Sequence, residues 1–255
     1  MTIETTISPD ALWNARRKGA VLPPPERVWS EDEAYAVQEA LIESAGMPIA
    51  GWKVGATAVG APGMLGISGP LSGPIWPNAL AHNGDEISLF AVHRPQAEVE
   101  FAVRFDRSPD GSDEASIFGA IDAVALAIEI PCSRLMQETV PPGPGYIADH
   151  GGSGHVAIGP WVRPPAVAEW PSVSARLLVN DQVRKTGMGG HVLGTPFAAL
   201  LWLVGHLWRR GRSLSCGDVV ITGAMVGLTP FSIGASLGAE ADGLPPLHVR
   251  TLEAR

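Results

Sequence analysis

Residues 95–105 (PQAEVEFAVRF) alternate between apolar and polar side chains. The odd positions from Ala97 to Phe105 are all apolar, whereas most even positions are not. A period of two residues is that of a β-strand with one face in a core. Glu98 and Glu100 then point to the same side of the strand, about 7 Å apart. Two carboxylates on one face repel each other unless a cation, a proton or water intervenes. This face is therefore either solvated or a pair of oxygen ligands for an ion such as Mg²⁺.

A second alternating segment, residues 124–130, carries a third carboxylate. Its even-numbered positions are large and apolar, whereas Glu129 shares the other face with Ala125 and Ala127. Burying a carboxylate without a partner is costly, so we expect Glu129 to face a cation. A solvated glutamate on an edge strand is the alternative.

Lys53 is the lone charge in a short predicted strand, residues 49–55. Its neighbours Trp52 and Val54 are apolar. A lysine held among apolar groups has a lowered pKa and can act as an acid or a base. The alternative is a side chain that extends along the strand edge to reach water.

The glycine-rich segment 146–154 brings Asp149, His150 and Ser153 within five residues. Glycine allows the backbone to approach a ligand closely, and these three side chains suit acid–base chemistry or carboxylate binding. A turn with exposed polar groups is the alternative. Residues 58–84 show no period, so we expect a lid or pocket wall there, or a plainly packed loop.

Composition narrows the classes of function. The formal net charge is −8 and no basic block occurs beyond Arg209 and Arg210, which argues against a nucleic-acid partner. Cys132 and Cys216 form no CxxC pair, so neither a disulfide framework nor a zinc site is indicated. The N-terminus resembles no secretion signal, and the longest apolar run, 197–205, is too short to cross a bilayer. We expect a cytoplasmic protein without a membrane partner.

The remaining patterns predict an α+β fold. Capping signals precede two helices in the first fifty residues, and the clearest helix covers residues 197–210. We expect one domain, 1–255, in which a helical part (1–50) packs on a β-rich core (51–255). Further predicted elements are a helix at 114–122 and strands at 155–161, 173–180, 219–222 and 247–252.

Taken together, these motifs resemble the hydratase/decarboxylase family of the fumarylacetoacetase-like superfamily. Its type members are 2-oxopent-4-enoate hydratase and 4-oxalocrotonate decarboxylase. The resemblance extends in order from about residue 8 to residue 250, and it is carried by residues 34–38, 51–55, 95–100, 127–130, 148–154, 193–196 and 221–224.

The resemblance implies a mixed β-roll of the fumarylacetoacetase C-terminal type and a divalent metal, Mg²⁺ or Mn²⁺. It also implies a homo-oligomer. Its metal ligands fall on Glu98, Glu100 and Glu129, the same acids that the strand pattern singles out. The implied catalytic residues are Lys53 and Asp149, and the implied substrate-binding residues are Leu65, His150 and Ser153.

One departure concerns the segment after the aspartate. The family often has Asn-x-Ser-Ser there, whereas this chain has His150-Gly151-Gly152-Ser153, so one hydroxyl is missing and a histidine has entered. The loop around Asn78 also lacks an acidic residue that the resemblance leads us to expect.

The function implied by the resemblance is a metal-dependent lyase that acts on small 2-oxo or 2-hydroxy-dienoic acids. The expected reaction is hydration of 2-hydroxypenta-2,4-dienoate to 4-hydroxy-2-oxopentanoate in aromatic catabolism. One alternative is a 4-oxalocrotonate-type decarboxylase, whose second substrate carboxylate needs a cation such as Arg134 or Arg184. Another is an acylpyruvate hydrolase that uses His150. A non-catalytic binding protein on the same fold is the alternative of a different class.

Overall fold

Two β-sheets and their flanking helices make up the fold, which confirms the predicted α+β class. The structure is a computed structural model and describes residues 7–25, 27–135 and 143–254. The α-helices in these ranges are α1 (Pro9–Lys18), α2 (Glu31–Ala45), α3 (Ala61–Leu65), α4 (Glu114–Gly119), α5 (Pro144–Ala148) and α6 (Pro196–Arg209). The strands are β1 (Gly51–Gly55), β2 (Leu71–Ile75), β3 (Leu80–His82), β4 (Glu86–Leu89), β5 (Gln96–Phe105), β6 (Ile121–Ile130), β7 (His155–Ile158), β8 (Ser174–Val179), β9 (Gln182–Met188), β10 (Val219–Pro230), β11 (Ser236–Ala241) and β12 (Leu244–Glu253).

Local capping chemistry accounts for both N-terminal helices. The Ser8 side chain accepts a hydrogen bond from the amide of Ala11 at the start of α1. Ser30 and Glu33 form a reciprocal capping box at the start of α2. Each cap satisfies amide groups that have no partner inside the helix. The predicted starts of both helices are confirmed.

The larger sheet has the strand order β2-β1-β10-β5-β6-β7-β3. Its central strand β5 runs antiparallel to both β10 and β6, whereas β1 runs parallel to β10. The pairing of β10 with β5 shifts register between Ile221 and Thr229. Such irregularities bend a strand and increase its twist. The smaller sheet has the order β4-β12-β11-β8-β9.

The odd-numbered side chains of β5 lie in the main core, as the alternation predicts. Phe101 is fully buried and stacks on Trp170, with ring centroids 5.4 Å apart. Trp170 in turn meets the ring of Phe197 on α6. Because Phe101 is closely packed, its truncation to alanine is expected to lower the free energy of unfolding by about 3–5 kcal/mol.

The opposite face of the larger sheet is also buried. Ala102 of β5 and two alanines of β6, Ala125 and Ala127, have no exposed surface. They belong to a second apolar cluster that includes Ile75, Val156 and Ile221. The carboxylates that share this face, Glu100 and Glu129, are each 1% exposed. A solvated strand face is therefore excluded for these two acids.

Two expectations about local structure are wrong. The segment 58–84 is not one irregular loop, because it contains α3 and the strands β2 and β3. β2 is buried along its whole length and pairs with β1; a strand buried on both faces shows no alternation. The helix predicted at 114–122 ends at Gly119, and β6 begins two residues later.

In the described residues, no helix is both long and apolar enough to cross a membrane. α1 and α2 pack against each other, and α2 also packs against α5. The division into a helical part and a β-rich core within one domain stays a prediction.

Candidate active site

Three glutamates that are distant in sequence meet on the buried face of the larger sheet. Glu98 lies directly opposite Glu129 in the pairing of β5 with β6, and Glu100 follows on the same face of β5. One carboxylate oxygen from each lies within 4.8 Å of the other two. The structure therefore brings together all three metal ligands expected from the sequence.

The electrostatics of this cluster fit a bound dication. Burial, together with the charge of Glu129, raises the pKa of Glu98 to about 7 and that of Glu100 well above its usual range. Carboxylates this close repel one another in a dry environment. Hard oxygen ligands are those that Mg²⁺, Mn²⁺ and Ca²⁺ accept. The three carboxylates carry up to three negative charges and the nearby ammonium group carries one positive charge, so a divalent cation would compensate much of the remainder.

That ammonium group belongs to Lys53 on β1. Its side chain is 4% exposed, and Nζ lies 2.7 Å from Oε1 of Glu129. Nζ also donates a hydrogen bond to the carbonyl oxygen of Gly151 at 2.9 Å. Burial by itself lowers the pKa of Lys53, but the charge and hydrogen bond of Glu129, together with the electrostatic contributions of Tyr146 and Glu98, outweigh burial, so that the pKa lies above its usual value. This contradicts the lowering expected from the apolar neighbours Trp52 and Val54.

Backbone geometry holds Glu100 in place. The amide of Gly223 on β10 donates a hydrogen bond to Oε2 of Glu100 at 2.7 Å. Gly223 has a φ of 106°, which is accessible mainly to glycine. A Cβ at this position would lie 2.2 Å from Oγ1 of Thr57. The glycine thus permits the bulged course of β10 that aims its amide at the carboxylate.

Asp149 belongs to a different buried network. Its Oδ1 accepts a hydrogen bond from Nε of Arg134 at 2.7 Å, and its Oδ2 accepts one from the backbone amide of Arg134 at 2.7 Å. Burial raises the pKa of Asp149, and the charge of Arg134 partly offsets that effect. Arg134 also donates to the carbonyl oxygens of Cys132 and Ser153. The Arg134 guanidinium therefore makes its hydrogen bonds to groups inside the protein.

The structure places His150 and Ser153 in the same segment, but each has other contacts. The His150 ring lies 5.5 Å from the ring of Trp76, and burial lowers its pKa well below the usual value. The Ser153 hydroxyl donates a hydrogen bond to the carbonyl oxygen of Pro74 at 2.8 Å. Among the described residues, neither side chain makes a hydrogen bond to the three glutamates.

A cavity of about 580 Å³ is lined by Leu65, the expected pocket leucine. Gln96, two residues before Glu98 on β5, also lines it, and so does Tyr146 of α5. Burial raises the pKa of Tyr146 to about 12, while the charge of Lys53 opposes and that of Glu129 adds to this shift. The Tyr146 phenol therefore lies within the electrostatic reach of both groups.

Sequence reasoning missed Tyr146 and Arg16. Arg16 of α1 donates hydrogen bonds to the carbonyl oxygens of Ser153 and Gly154 at 2.6 and 3.0 Å. Burial lowers its pKa to about 9. Tyr146 is the first residue of the glycine-rich segment 146–154, so it could have been noticed. The contact of Arg16 joins residues 137 positions apart and has no local signal.

Three converging carboxylates, two of them buried, with a lysine beside them and a cavity on a bent mixed sheet, define a metal-binding enzyme site. The family model described as fumarylacetoacetate (FAA) hydrolase C-terminal matches residues 71–251. The chain belongs to this family, which confirms the expected β-roll type.

Individual proteins are also similar to this chain in sequence or in fold. The chain is 32% identical over 245 residues to the TodF product hydratase of Pseudomonas putida, covering 92% of this chain and 90% of that relative. It is 27% identical over 223 residues to a 2-keto-4-pentenoate hydratase of Paraburkholderia xenovorans, covering 84% and 82%. The structure of 4-oxalocrotonate decarboxylase from Pseudomonas putida G7, complexed with magnesium and adipate, superposes with a TM-score of 0.86 at 22% identity, over 96% and 95% of the two chains.

Proposed function

We propose that this protein is a divalent-metal-dependent hydro-lyase that converts 2-hydroxypenta-2,4-dienoate to 4-hydroxy-2-oxopentanoate. The observation that carries the proposal is the convergence of Glu98, Glu100 and Glu129 on one position beside the Lys53 ammonium. The hydratase names of the relatives, matched over more than four-fifths of their length, support this reaction class.

Glu98, Glu100 and Glu129 are the residues that would hold the cation, and we propose Mg²⁺. When bound, such an ion supplies Lewis acidity, which stabilises negative charge that develops on the 2-oxygen of the substrate. Three carboxylates and one dication sum to one negative charge. The Lys53 ammonium offsets that charge and makes the site able to accept an anionic substrate.

Lys53 is the proposed proton-transfer residue. Its Nζ is held by Glu129 and the Gly151 carbonyl, so the direction of its third N–H bond is restricted. In the net reaction the 2-hydroxyl and water each give up one proton, C5 and C3 each gain one, and the remaining hydroxyl group of water bonds to C4. Lys53 can give a proton to the substrate and recover one from the 2-hydroxyl. Asp149, held by Arg134, is proposed to orient segment 149–154.

Decarboxylation is the second candidate, because 4-oxalocrotonate decarboxylase shares the fold at a TM-score of 0.86. Its substrate carries a second carboxylate, which needs a cation. Of the two arginines considered for this role, Arg134 is committed to Asp149, and Arg184 lies on the exposed strand β9. These placements favour hydration. The homo-oligomeric state and the cytoplasmic location stay predictions.

The test is a panel of 2-hydroxy-dienoic and 2-oxo acids with Mg²⁺, followed by ultraviolet absorbance and by evolved CO₂. We expect loss of the dienoate absorbance without CO₂, and no turnover by Glu129→Gln. Glu240→Gln, which changes a partly exposed acid of β11, is the matched control and is expected to retain activity. Evolution of CO₂ from 2-oxohex-3-enedioate would establish the decarboxylase instead. Equal rates for wild type and Glu129→Gln on every acid would overturn the metal-dependent mechanism.

A further inference from the structure

Tyr146 lines the cavity, and its hydroxyl is not used within the part of the protein that the structure describes. Among the described residues, no hydrogen bond engages this hydroxyl, although the backbone amide of Tyr146 donates to the carbonyl oxygen of Gly143. The side chain is only partly buried and lines the same cavity as Leu65. A ligand that displaces water from such a hydroxyl has to replace the hydrogen bonds that the hydroxyl made to water.

The position of this hydroxyl is set by Gly152. A Cβ on Gly152 would lie 2.3 Å from Oη of Tyr146, so the phenol occupies the space that a side chain would take there. Gly152 is the position at which the resemblance leads us to expect a serine. The Tyr146 hydroxyl therefore stands where the missing hydroxyl of that segment would be, but it is supplied from α5.

The same segment also carries the contact of Lys53, and Lys53 and Tyr146 influence each other electrostatically. The carbonyl oxygen of Gly151 accepts the hydrogen bond from Lys53 Nζ at 2.9 Å, and Gly152 is the next residue in the chain. Lys53 and Tyr146 thus approach the two ends of one glycine pair. An ammonium and a neutral phenol at neighbouring residues of one segment offer two donors to an anionic oxygen.

We propose that Tyr146 is a further catalytic residue, whose hydroxyl donates a hydrogen bond to the anionic end of the bound 2-oxo acid beside Lys53. This inference rests on the proposed function for its substrate class. The alternative is that the phenol ring only fills the space left by Gly152. A phenylalanine at position 146 keeps the ring and removes the hydroxyl donor, so it distinguishes a hydrogen-bonding role from a space-filling role.

The experiment compares wild type, Tyr146→Phe and Tyr35→Phe. Tyr35 is the only other tyrosine in the sequence, and its hydroxyl accepts a hydrogen bond from the amide of Ser72. We measure kcat/KM for the dienoate, the affinity for oxalate in the presence of Mg²⁺, and the rise in melting temperature that Mg²⁺ alone produces. Oxalate is the probe because its two adjacent carboxylates resemble a 2-oxo acid in its enolate form.

Loss of a hydrogen bond to a charged ligand is expected to lower kcat/KM and oxalate affinity about 10- to 100-fold in Tyr146→Phe. The Mg²⁺-induced shift is expected to match wild type, because the three glutamates are untouched. Tyr35→Phe is expected to lose stability but to retain kcat/KM and oxalate affinity.

A second readout does not depend on turnover. In the Tyr35→Phe background, 3-fluorotyrosine labels position 146 alone, and its ¹⁹F resonance is expected to shift when oxalate is added to the Mg²⁺-loaded protein. If wild type binds oxalate but hydrates no dienoate, the proposed function fails, and the oxalate comparison still decides the role of Tyr146. Equal oxalate affinity of wild type and Tyr146→Phe, or no oxalate binding by wild type, would overturn the inference.

Discussion

Arg134 donates to both carboxylate oxygens of Asp149, through Nε to Oδ1 and through its backbone amide to Oδ2, each at 2.7 Å. The two side chains are 2% and 1% exposed. Arg134 also binds the carbonyl oxygens of Asp149 and Ser153. Arg134 therefore holds segment 149–154 through hydrogen bonds at both of its ends, to Asp149 and to Ser153.

We expect Arg134→Met to destabilise the protein by about 3–5 kcal/mol, because it leaves a buried carboxylate without its counter-charge. Urea unfolding monitored by tryptophan fluorescence measures the loss. The matched control is Arg104→Met, which breaks a partly exposed pair with Asp122 and is expected to cost about 1 kcal/mol or less. Equal losses in the two variants would contradict a special role for the buried pair.

Metal binding is expected to stabilise the folded chain. Mg²⁺ at 100 times its Kd should raise the free energy of unfolding by about 2.7 kcal/mol, since the unfolded chain lacks the three-glutamate site. Glu100→Gln should remove most of this gain, because Glu100 is one of the three converging acids. In excess chelator the same variant should unfold at a higher urea concentration than wild type, because it removes a buried charge. The measurement is urea unfolding with Mg²⁺ or with chelator.

An outcome in which Mg²⁺ stabilises Glu100→Gln as much as wild type would place the ion elsewhere. Glu240→Gln serves as the control for loss of an acidic side chain, because Glu240 is a partly exposed residue paired with Arg176.

Gly73 of β2 is expected to be essential for the approach of segment 149–154. A Cβ at Gly73 would lie 2.0 Å from the carbonyl oxygen of His150. Gly73→Ala should therefore displace this segment, cost about 1–3 kcal/mol of stability and lower kcat by moving the Gly151 carbonyl away from Lys53. Gly69→Ala is the control, because a Cβ there meets no atom within 4 Å. Retention of wild-type stability and kcat by Gly73→Ala would show that the segment adapts without cost.

His206 of α6 is expected to make stability depend on pH. Its ring stacks on Trp202 with centroids 4.6 Å apart and also meets Tyr35. Burial lowers its pKa to about 4, and the charges of Arg210 and Arg209 act in the same direction. The unfolded chain, with a histidine pKa of about 6.5, binds the proton first as the pH falls. The contribution of His206 to stability is therefore full above pH 6.5 and declines toward pH 4.

The measurement is the urea midpoint at several pH values between 4 and 7. His206→Phe keeps an aromatic ring and should flatten the decline, whereas His82→Gln, at an exposed histidine, should leave it unchanged. An unaltered decline in His206→Phe would show that other groups are responsible.

The sequence alone was sufficient for several features. Alternation in 96–105 and 124–130 depends only on which side chains avoid water, so it predicted β5, β6 and the face that carries each glutamate. Capping chemistry is local, so the starts of α1 and α2 could also be predicted. The family resemblance, confirmed by the match over residues 71–251, rests on motifs that the sequence already contains in order.

Only the tertiary structure decided the remaining features, because they depend on partners distant in the chain. The register of β5 against β6 sets Glu98 opposite Glu129. The pKa of Lys53 rises because Glu129 lies 2.7 Å away, a contact that the apolar neighbours in the sequence do not reveal. β2 was missed because burial on both faces removes alternation. The phenol of Tyr146 packs against Gly152 because the glycine leaves space for it, and such complementarity of volumes exists only after the chain has folded.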